Sequence, residues 1–489
     1  MTDAVRKRLV DLVAAYGVGL AGDPKRTEGL LRDTCPGCSR EIFLLVSAQR
    51  LRVAEDLRAL SSSVPKEALF RRLTRRLHDE MGIDEQFALW AVHSWAIALC
   101  LLSPDAARAG RRARKGGAGK ASGGAVSAGP SPLPSLIVAP GGEGHFRTLA
   151  DAVREARSGT RIFLRPGQYR EEIAIDRPVE VIGEGPASSV ILEAAGPGGI
   201  SVKGGALYLH GVTLRGGAPA PGSAALQVQK GLAIVEDSVV AGGETSVLVQ
   251  GSGASAVLRR CTLGWGAARG AAFLDRARGT VDECHIPSAA RGIVIAAGAD
   301  PMIRSSRLEG CQTGIAVFGR GKGTVEGCTI TGSRHAGISV SDLSDPQVTR
   351  CRIQEGNFGI EVTDRGRGRV TATEILQMAA GVFISGGGNP VLSGCTIRDG
   401  RFGVGVSDRG KGVLEECRIT GHQYSGVSVK EKGNPVLRRC AITGNRDVGV
   451  WVYRNGGATV DHCDLSGNGK GAFSIETGSR VKRDGNRES

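Results

Sequence analysis

Aromatic residues and prolines are scarce in this chain of 489 residues, which has 4% Phe, Trp and Tyr and 19 prolines beside 74 glycines. Such a glycine content is too high for an ordinary helical enzyme. Hydrophobic residues make up 41% of the sequence, which excludes wholesale disorder. The glycines have no period of three, so a collagen-like chain is excluded as well.

Long apolar runs are also lacking. No stretch approaches the roughly 20 apolar residues of a membrane span, and Asp11 and Asp23 interrupt the apolar residues near the start. We therefore expect a cytoplasmic chain with no membrane span and no cleaved signal peptide. The 12 cysteines are dispersed along the chain, unlike the dense cysteines of a small secreted disulfide scaffold.

The composition changes along the chain and divides it into four segments. Residues 1–105 have apolar residues at three- and four-residue intervals, with helix-start signals at Asp23 and Asp84, which predicts an all-helical accessory domain. Residues 106–135 are basic, rich in Gly, Ala, Ser and Pro, and almost free of large apolar side chains, which predicts a flexible linker. Residues 136–478 are repetitive, and residues 479–489 form a short charged tail.

The formal net charge of +14 raises the question of a nucleic-acid partner. Six of the basic residues lie between positions 106 and 135, where no acidic residue accompanies them. That segment has no aromatic side chain for stacking on bases, so a charged, solvated tether is the preferred interpretation. Nucleic acid is not an expected partner.

A repeat of 22 or 23 residues dominates the C-terminal part of the chain. One slot recurs as Val212, Asp237, Cys261, Cys284, Ser306, Cys328, Cys351, Thr373, Cys395, Cys417, Cys440 and Cys463, and a second is the glycine of a GI-x-V motif, from Gly270 to Gly471. Each unit holds three short β-type runs separated by turns. The pattern predicts a mainly β fold, a parallel β-helix of about a dozen coils in which each strand pairs with its equivalent about 4.8 Å away.

The C-terminal units, such as GNPVLRRCAITGNRDVGVWVYRNGGATVDHC, resemble the right-handed parallel β-helix repeats of pectate-lyase-like proteins, and most of all those of β-helix F-box proteins. The segment from LIVAPGGEGHFRTLADAVREA to PGQY resembles the start of pectin-methylesterase-like β-helices, where a short helix caps the first coil. Leu149, Ala152 and Val153 share one helical face, as that cap requires. Residues 1–105 resemble an accessory module of bacterial signalling and chaperone-like proteins, and do not resemble an F-box.

The cysteines offer two possible metal sites. In the repeat slot, Cys and the Ile two residues later point into the coil, so these thiols are expected to fill the core. Cys35 and Cys38 form a C-x-x-C pair and are the candidate metal ligands, although no second pair follows at a recognised spacing and a structural role is preferred. No cofactor is expected.

The candidate catalytic residues are Asp342, Asp364 and Asp408, which stand five residues after the GI-x-V glycine. At this position successive coils have Asp342, Asp364, Gly386, Asp408 and Glu431. Neighbouring coils would place Asp342 and Asp364 about 5 Å apart, the separation of the carboxylates in a retaining glycosidase. The turn sequence DRG-x-G recurs at Asp364 and Asp408, however, and Asp before a glycine turn is ordinary turn chemistry.

These observations favour a non-catalytic binding or scaffold protein. Its solenoid surface would recognise a protein partner, or a carbohydrate, with the helical domain as an interaction module, as the resemblance to β-helix F-box proteins implies. The alternative is an enzyme that acts on polysaccharides, namely a pectate-lyase-like lyase, a glycoside hydrolase or a pectin-methylesterase-like enzyme.

Overall fold

The computed structural model describes residues 3–16, 18–35, 38–58, 66–81, 83–99, 101 and 135–489. The chain forms two compact units, Met1–Pro132 and Leu133–Ser489. The expected linker, apart from Ser135, lies outside the described residues. Among the described residues, no helix combines the length and the apolar character that crossing a membrane requires.

The first unit is helical, as the apolar periodicity predicts. The side chain of Asp23 accepts a hydrogen bond from the Arg26 amide at 3.0 Å, and that of Asp84 accepts one from the Gln86 amide at 2.8 Å, so both predicted helix starts are confirmed. Its elements are α1 (Asp3–Tyr16), a 3-10 turn (Val18–Gly22), α2 (Pro24–Thr34), α3 (Ser39–Arg50), α4 (Val53–Arg58), α5 (Lys66–Met81) and α6 (Glu85–Ala98).

The second unit is a parallel β-solenoid with three faces, which confirms the predicted fold. The first sheet has 16 strands, and the second and third sheets are joined into one by two strands that turn the corner between them. The coils outnumber the predicted dozen because pairing begins upstream of the recognisable repeats and continues past residue 478.

The strands of the first sheet are Ser135–Val138, Thr160–Leu164, Val179–Gly183, Ala206–His210, Gly231–Glu236, Ala254–Arg259, Arg278–Asp282, Met302–Arg304, Thr324–Glu326, Gln347–Thr349, Arg369–Thr371, Val391–Ser393, Val413–Glu415, Val436–Arg438, Gly457–Asp461 and Arg480–Asp484. Those of the second sheet are Gly167–Glu171, Val190–Ala194, Thr213–Arg215, Val239–Ala241, Thr262–Leu263, His285–Pro287, Arg307–Glu309, Thr329–Thr331, Thr396–Arg398, Arg418–Thr420 and Ala441–Thr443. Those of the third sheet are Ile173–Ile175, Ile200–Val202, Ala224–Val228, Thr245–Gln250, Arg269–Leu274, Arg291–Ala296, Thr313–Phe318, Ala336–Val340, Phe402–Val406, Val427–Val429, Val450–Val452 and Phe473–Ile475. The two shared strands are Arg352–Val362 and Glu374–Ile384.

Residues one repeat apart stack in rows because each strand pairs in register with its equivalent in the next coil. In the third sheet, Ser339 pairs with Glu361 and Glu361 pairs with Phe383. Side chains alternate between the two faces of a strand, so the same rows run either inside or outside the solenoid throughout. The core therefore consists mainly of aliphatic and cysteine columns, with Tyr169 and Phe273 as aromatic members in the earlier coils.

The eight repeat-slot cysteines are buried, and Ser306 and Thr373 replace cysteine without disturbing the row. Their hydroxyls donate to the carbonyls of Arg304 at 2.8 Å and Thr371 at 3.0 Å. The predicted assignment of Asp237 to this slot is wrong. Ser238, rather than Asp237, occupies the slot and donates to the Glu236 carbonyl at 2.7 Å, because a longer preceding turn shifts the spacing.

The glycine of the GI-x-V motif is required by the closeness of the coils. A Cβ atom at Gly381 would lie 2.3 Å from Cγ2 of Ile397 and 2.7 Å from the carbonyl oxygen of Gly403. Equivalent contacts with an isoleucine and with the next glycine carbonyl surround Gly337 and Gly359. This row therefore has no room for a side chain.

The helix α7 (Leu149–Glu155) covers the first coils, as predicted, and buries Leu149, Ala152 and Val153. Its first two amides donate to the Glu171 carboxylate at 2.9 and 2.6 Å. At the other end, Arg480–Asp484 pairs as the last strand of the first sheet, so regular pairing extends into the expected tail.

A buried polar column fills the bend between the second and third sheets in the last coils. The amide of His422 donates to Oδ1 of Asn445 at 3.1 Å, and Nδ2 of Asn445 donates to Oδ1 of Asn468 at 2.9 Å. The His422 ring accepts from the Gly400 amide at Nδ1, and its Nε2 lies 3.1 Å from the Ile397 carbonyl oxygen. Burial lowers the pKa of His422.

We expect Gly381→Ala to destabilise the solenoid far more than Gly394→Ala. The first change forces a methyl group against backbone and should cost about 3 kcal/mol. Gly394 has a positive φ of 60° but open space around it, and Ala372 already occupies the equivalent position one coil earlier, so its change should cost about 1 kcal/mol. Urea unfolding measures both free energies, and equal losses would contradict the close-packing explanation.

We also expect His422→Asn to reduce the dependence of stability on pH. The folded state holds His422 neutral with a lowered pKa, whereas the unfolded chain takes up the proton near pH 6.5, so acid favours unfolding. The wild-type free energy of unfolding should therefore fall as pH drops below about 6.5, by at most about 1.4 kcal/mol per pH unit from this group. The variant extends the asparagine column and should lose that slope in denaturant titrations at several pH values. An unchanged slope would contradict this assignment.

Candidate active site

The predicted carboxylates stand in the turn that follows each third-sheet strand. Two successive residues there adopt left-handed backbone angles, for example Asp364 at φ 48° and Arg365 at 59°. Asp and Gly tolerate this conformation better than most residues, which explains their presence in the turn. The amide of the second residue donates to a carbonyl in the next coil, as from Arg365 to Gly386 at 3.0 Å, so the turns stack with the strands.

This stacking brings the three sequence-predicted residues Asp342, Asp364 and Asp408 into one groove of about 830 Å³. We call the residues at the first turn position the turn row. It comprises Asp342, Asp364, Gly386, Asp408 and Glu431. Arg320, Arg365 and Arg409 line the same groove from the second turn position.

The turn between those of Asp364 and Asp408 has glycine at both positions. Gly386 and Gly387 take the same left-handed angles as their neighbours, at φ 54° and 73°, so the backbone is unchanged while the side chains are missing. Asp364 and Asp408 are two coils apart, which corresponds to about 9.6 Å between their backbones. The glycine pair therefore opens a gap between Asp364 and Asp408.

The carboxylates around this gap are exposed. The Thr363 hydroxyl donates to Oδ2 of Asp364 at 3.3 Å. Within the described part of the chain, no Lys or Arg forms an ion pair with Asp342, Asp364 or Asp408. Their oxygens are therefore accessible to solvent and to a ligand.

Leu343 is an unusual member of the groove. It holds a left-handed φ of 60° and is 42% exposed, where neighbouring coils have arginine or glycine. A branched apolar side chain is disfavoured both in this conformation and in water. Leu343 therefore adds an apolar contact to an otherwise charged groove.

A second polar group lies on the adjoining third sheet and was missed in the sequence. Oε2 of Glu361 is 3.0 Å from Nε2 of His335 and accepts a hydrogen bond from the Ser339 hydroxyl at 3.0 Å. The variable residue of the GI-x-V motif is the signal that would have found it, because that residue points outward and Ser339 and Glu361 are successive members of its row.

The candidate metal ligands Cys35 and Cys38 lie between two helices of the first unit. Cys35 follows α2 and Cys38 precedes α3, and neither belongs to a group of three ligand side chains among the described residues. Two other groups have ligand atoms within 4.8 Å of one another, His210 with Glu236 and Asp237, and Asp461 with His462 and Asp484. The guanidinium of Arg260 already contacts Asp237 at 2.6 and 2.7 Å, which disfavours a cation in the first group.

The chain belongs to the protein family described as the right handed beta helix region. The match covers residues 198–353 and 336–487. No curated protein matched the sequence. The likeness to F-box β-helices and to a bacterial accessory module therefore stays a prediction.

Two kinds of solved structure are similar to the chain. The periplasmic alginate epimerase AlgG has 11% identity and a TM-score of 0.45, covering 70% of this chain and 82% of that one. A catalytic-domain variant of the GH87 alpha-1,3-glucanase in complex with nigerose has 14% identity and a TM-score of 0.45, covering 74% and 70%. Similarity at this level assigns no residue role and no reaction to this chain.

Both proteins are named as enzymes that act on polysaccharides. This finding overturns the expectation of a non-catalytic binding or scaffold protein and favours the polysaccharide-active alternative. The choice of reaction depends on the groove itself.

Proposed function

We propose that the chain is a glycoside hydrolase whose reacting carboxylates are Asp364 and Asp408. The observation that carries this proposal is the glycine gap between them. Two carboxyl groups with a space between them can act on a glycosidic bond and a water molecule together. Asp342 and the groove arginines would border the bound sugars.

The spacing favours hydrolysis with inversion at the anomeric carbon. Inverting enzymes hold their carboxyl groups about 6.5–9.5 Å apart, with room for a water, whereas retaining enzymes hold them about 5–5.5 Å apart. A two-coil separation of about 9.6 Å at the backbone lets the side chains of Asp364 and Asp408 converge into the inverting range. Gly386 and Gly387 leave the space that the water and the sugar require.

We assign the roles from the surroundings of Asp364. Thr363 donates to Asp364, an arrangement that suits a carboxylate acting as base. Asp364 would take a proton from the attacking water while Asp408 gives a proton to the leaving oxygen. The bond from the anomeric carbon to the leaving oxygen breaks, the bond to the water oxygen forms, and solvent restores both protonation states.

The recurrence of DRG-x-G at Asp364 and Asp408 is consistent with this proposal. Turn chemistry explains why Asp is tolerated in the left-handed position, but it does not explain why the intervening coil has only glycine at both turn positions. A repeated turn supplies two identical carboxylates, and the missing side chains between them create the site.

The full-length chain should release reducing ends from polysaccharides, and the Asp364→Asn and Asp408→Asn variants should each lose about 10²- to 10⁴-fold in kcat. Asp275→Asn is the matched control, because Asp275 has the same left-handed turn geometry at φ 55° but does not line the groove. Its activity should equal that of the wild type. Proton NMR of the first product formed should show the inverted anomer.

Other products would contradict this assignment in distinct ways. Retention of configuration, with activity lost in Asp342→Asn and Asp364→Asn, would move the reaction to the adjacent-coil pair. Unsaturated products that absorb ultraviolet light would indicate a lyase, and methanol release without chain cleavage would indicate an esterase. Full activity of Asp408→Asn would refute the role of the gap.

A further inference from the structure

All six aromatic residues between positions 319 and 472 lie outside the solenoid core. They are Phe358, Phe383, Phe402, Tyr424, Trp451 and Tyr453, which we call the aromatic track. The buried core of these coils consists of aliphatic and cysteine side chains. In a chain with only 4% aromatics, placing every ring of this region outside the core is the reverse of the usual distribution.

The rings of the aromatic track form three stacked pairs along the third sheet. The centroids of Phe358 and Phe383 are 5.2 Å apart, those of Phe402 and Tyr424 are 4.7 Å apart, and those of Trp451 and Tyr453 are 4.0 Å apart. Tyr424 is 42% exposed, and the other five rings are partly exposed. The track therefore presents aromatic surface to solvent.

The aromatic track runs beside the turn row through the same coils. Phe358 and Asp364 belong to one coil, and Phe402 and Asp408 to another. The strand of Trp451 is four coils from that of Phe358, a distance of about 19 Å along the solenoid. Tyr453 directly precedes the turn, so the track approaches the turn row at its C-terminal end.

Hydroxyl and small side chains separate the rings. In the outward row of the GI-x-V motif, Gly405 and Ser428 lie between the rings of Phe383 and Trp451. A second row of partly exposed hydroxyls runs next to the turn, consisting of Ser341, Thr363 and Ser385, and continues at the buried Ser407. Rings that are interspersed with hydroxyls match the alternating C–H faces and hydroxyl groups of sugars.

Charged side chains on this surface contact one another or the rings, and the guanidinium carbon of Arg401 lies 5.8 Å from the centroid of the Tyr424 ring. Glu361 contacts His335 at 3.0 Å, and Glu431 contacts Lys430 at 3.1 Å and Arg454 at 3.7 Å. Two carboxylates, Glu361 and Glu431, therefore stand beside three cations, Lys430, Arg454 and Arg401, so the charges on the track nearly cancel. An uncharged ligand suits it better than a polyanion does.

We propose that the aromatic track binds a neutral glycan chain, whose sugar rings lie against the aromatic side chains along the solenoid axis. If the groove hydrolyses glycosidic bonds as proposed above, this neutral glycan is its substrate, and in that respect the inference rests on the proposed function. The binding itself is independent of turnover. A protein partner on the same surface is the competing occupant, and the glycan is favoured because the track is continuous with the groove.

The test uses the full-length chain with Asp364→Asn and Asp408→Asn combined, so that turnover cannot remove the ligand. The probes are the neutral cellohexaose, laminarihexaose and maltohexaose and the acidic hexagalacturonate, titrated while tryptophan fluorescence and heat are recorded. Trp90 and Trp95 are buried and the exposed Trp265 lies outside the track, so the responsive signal should come from Trp451, persist in Trp265→Ala and vanish in Trp451→Phe. We expect at least one neutral hexaose to bind more tightly than hexagalacturonate.

Trp451→Ala and Phe402→Ala should each weaken that binding about tenfold, as loss of one stacked ring predicts. Trp265→Ala is the matched control, because Trp265 is 71% exposed and lies outside the track. Thermal unfolding of each variant confirms that the solenoid is intact. Unchanged affinity in both track variants would overturn the proposal, and so would an equal loss in Trp265→Ala.

The outcomes separate this inference from the proposed reaction. Binding that depends on Trp451 without hydrolysis by the wild type would support the glycan site and refute the proposed catalysis. Hydrolysis of a glycan whose affinity is unchanged in the track variants would refute this inference and leave the proposed reaction intact. Tighter binding of hexagalacturonate, or no neutral hexaose bound, would also overturn it.

Discussion

The spacing of about 4.8 Å between hydrogen-bonded coils is the constraint on which the solenoid depends. It fixes the glycine row, because a Cβ at Gly381 would meet Ile397 and the Gly403 carbonyl. It also makes small, buried cysteine, serine and threonine interchangeable in the repeat slot. The spacing therefore explains why the GI-x-V position is glycine in successive coils.

Because each repeat advances the chain by one coil, the number of repeats between two residues of a row gives the distance between them at the surface. Two carboxylates one repeat apart are neighbours, and two carboxylates two repeats apart have one coil between them. The site at Asp364 and Asp408 uses the second relation, with Gly386 and Gly387 as the vacant coil. The proposed site thus depends on the absence of side chains at Gly386 and Gly387 as well as on the carboxylates of Asp364 and Asp408.

Much of the fold follows from the sequence because the repeat is explicit. Few residue types fit the glycine slot, the cysteine slot or the buried face of the cap helix at Leu149. The sequence pattern therefore predicts all three. Where the repeat is irregular the prediction is wrong, as at Asp237, because a longer turn changes the spacing while a hydroxyl still fits the slot. The early coils were undercounted for a similar reason.

The candidate site was only partly predictable. The period alone places Asp342, Asp364 and Asp408 in one row, and the structure brings them into one groove. The Glu361 group and the aromatic track depend on which strand positions face outward, and periodicity does not reveal this until the GI-x-V motif is assigned to a strand.

Filling the glycine gap tests the central claim most directly. The double substitution Gly386→Asp and Gly387→Arg copies the turns at Asp364 and Asp408, whose left-handed angles it matches. A Cβ atom at Gly386 would lie 2.9 Å from the Asp364 amide nitrogen, so this turn must shift slightly, and the variant should unfold at a somewhat lower temperature while the solenoid stays folded. Measured against the polysaccharide that the wild type cleaves, this variant should lose at least about 100-fold in kcat, since side chains would occupy the space for the water and the sugar. Wild-type activity in the filled variant would contradict the account and show that the carboxylates serve the turns alone.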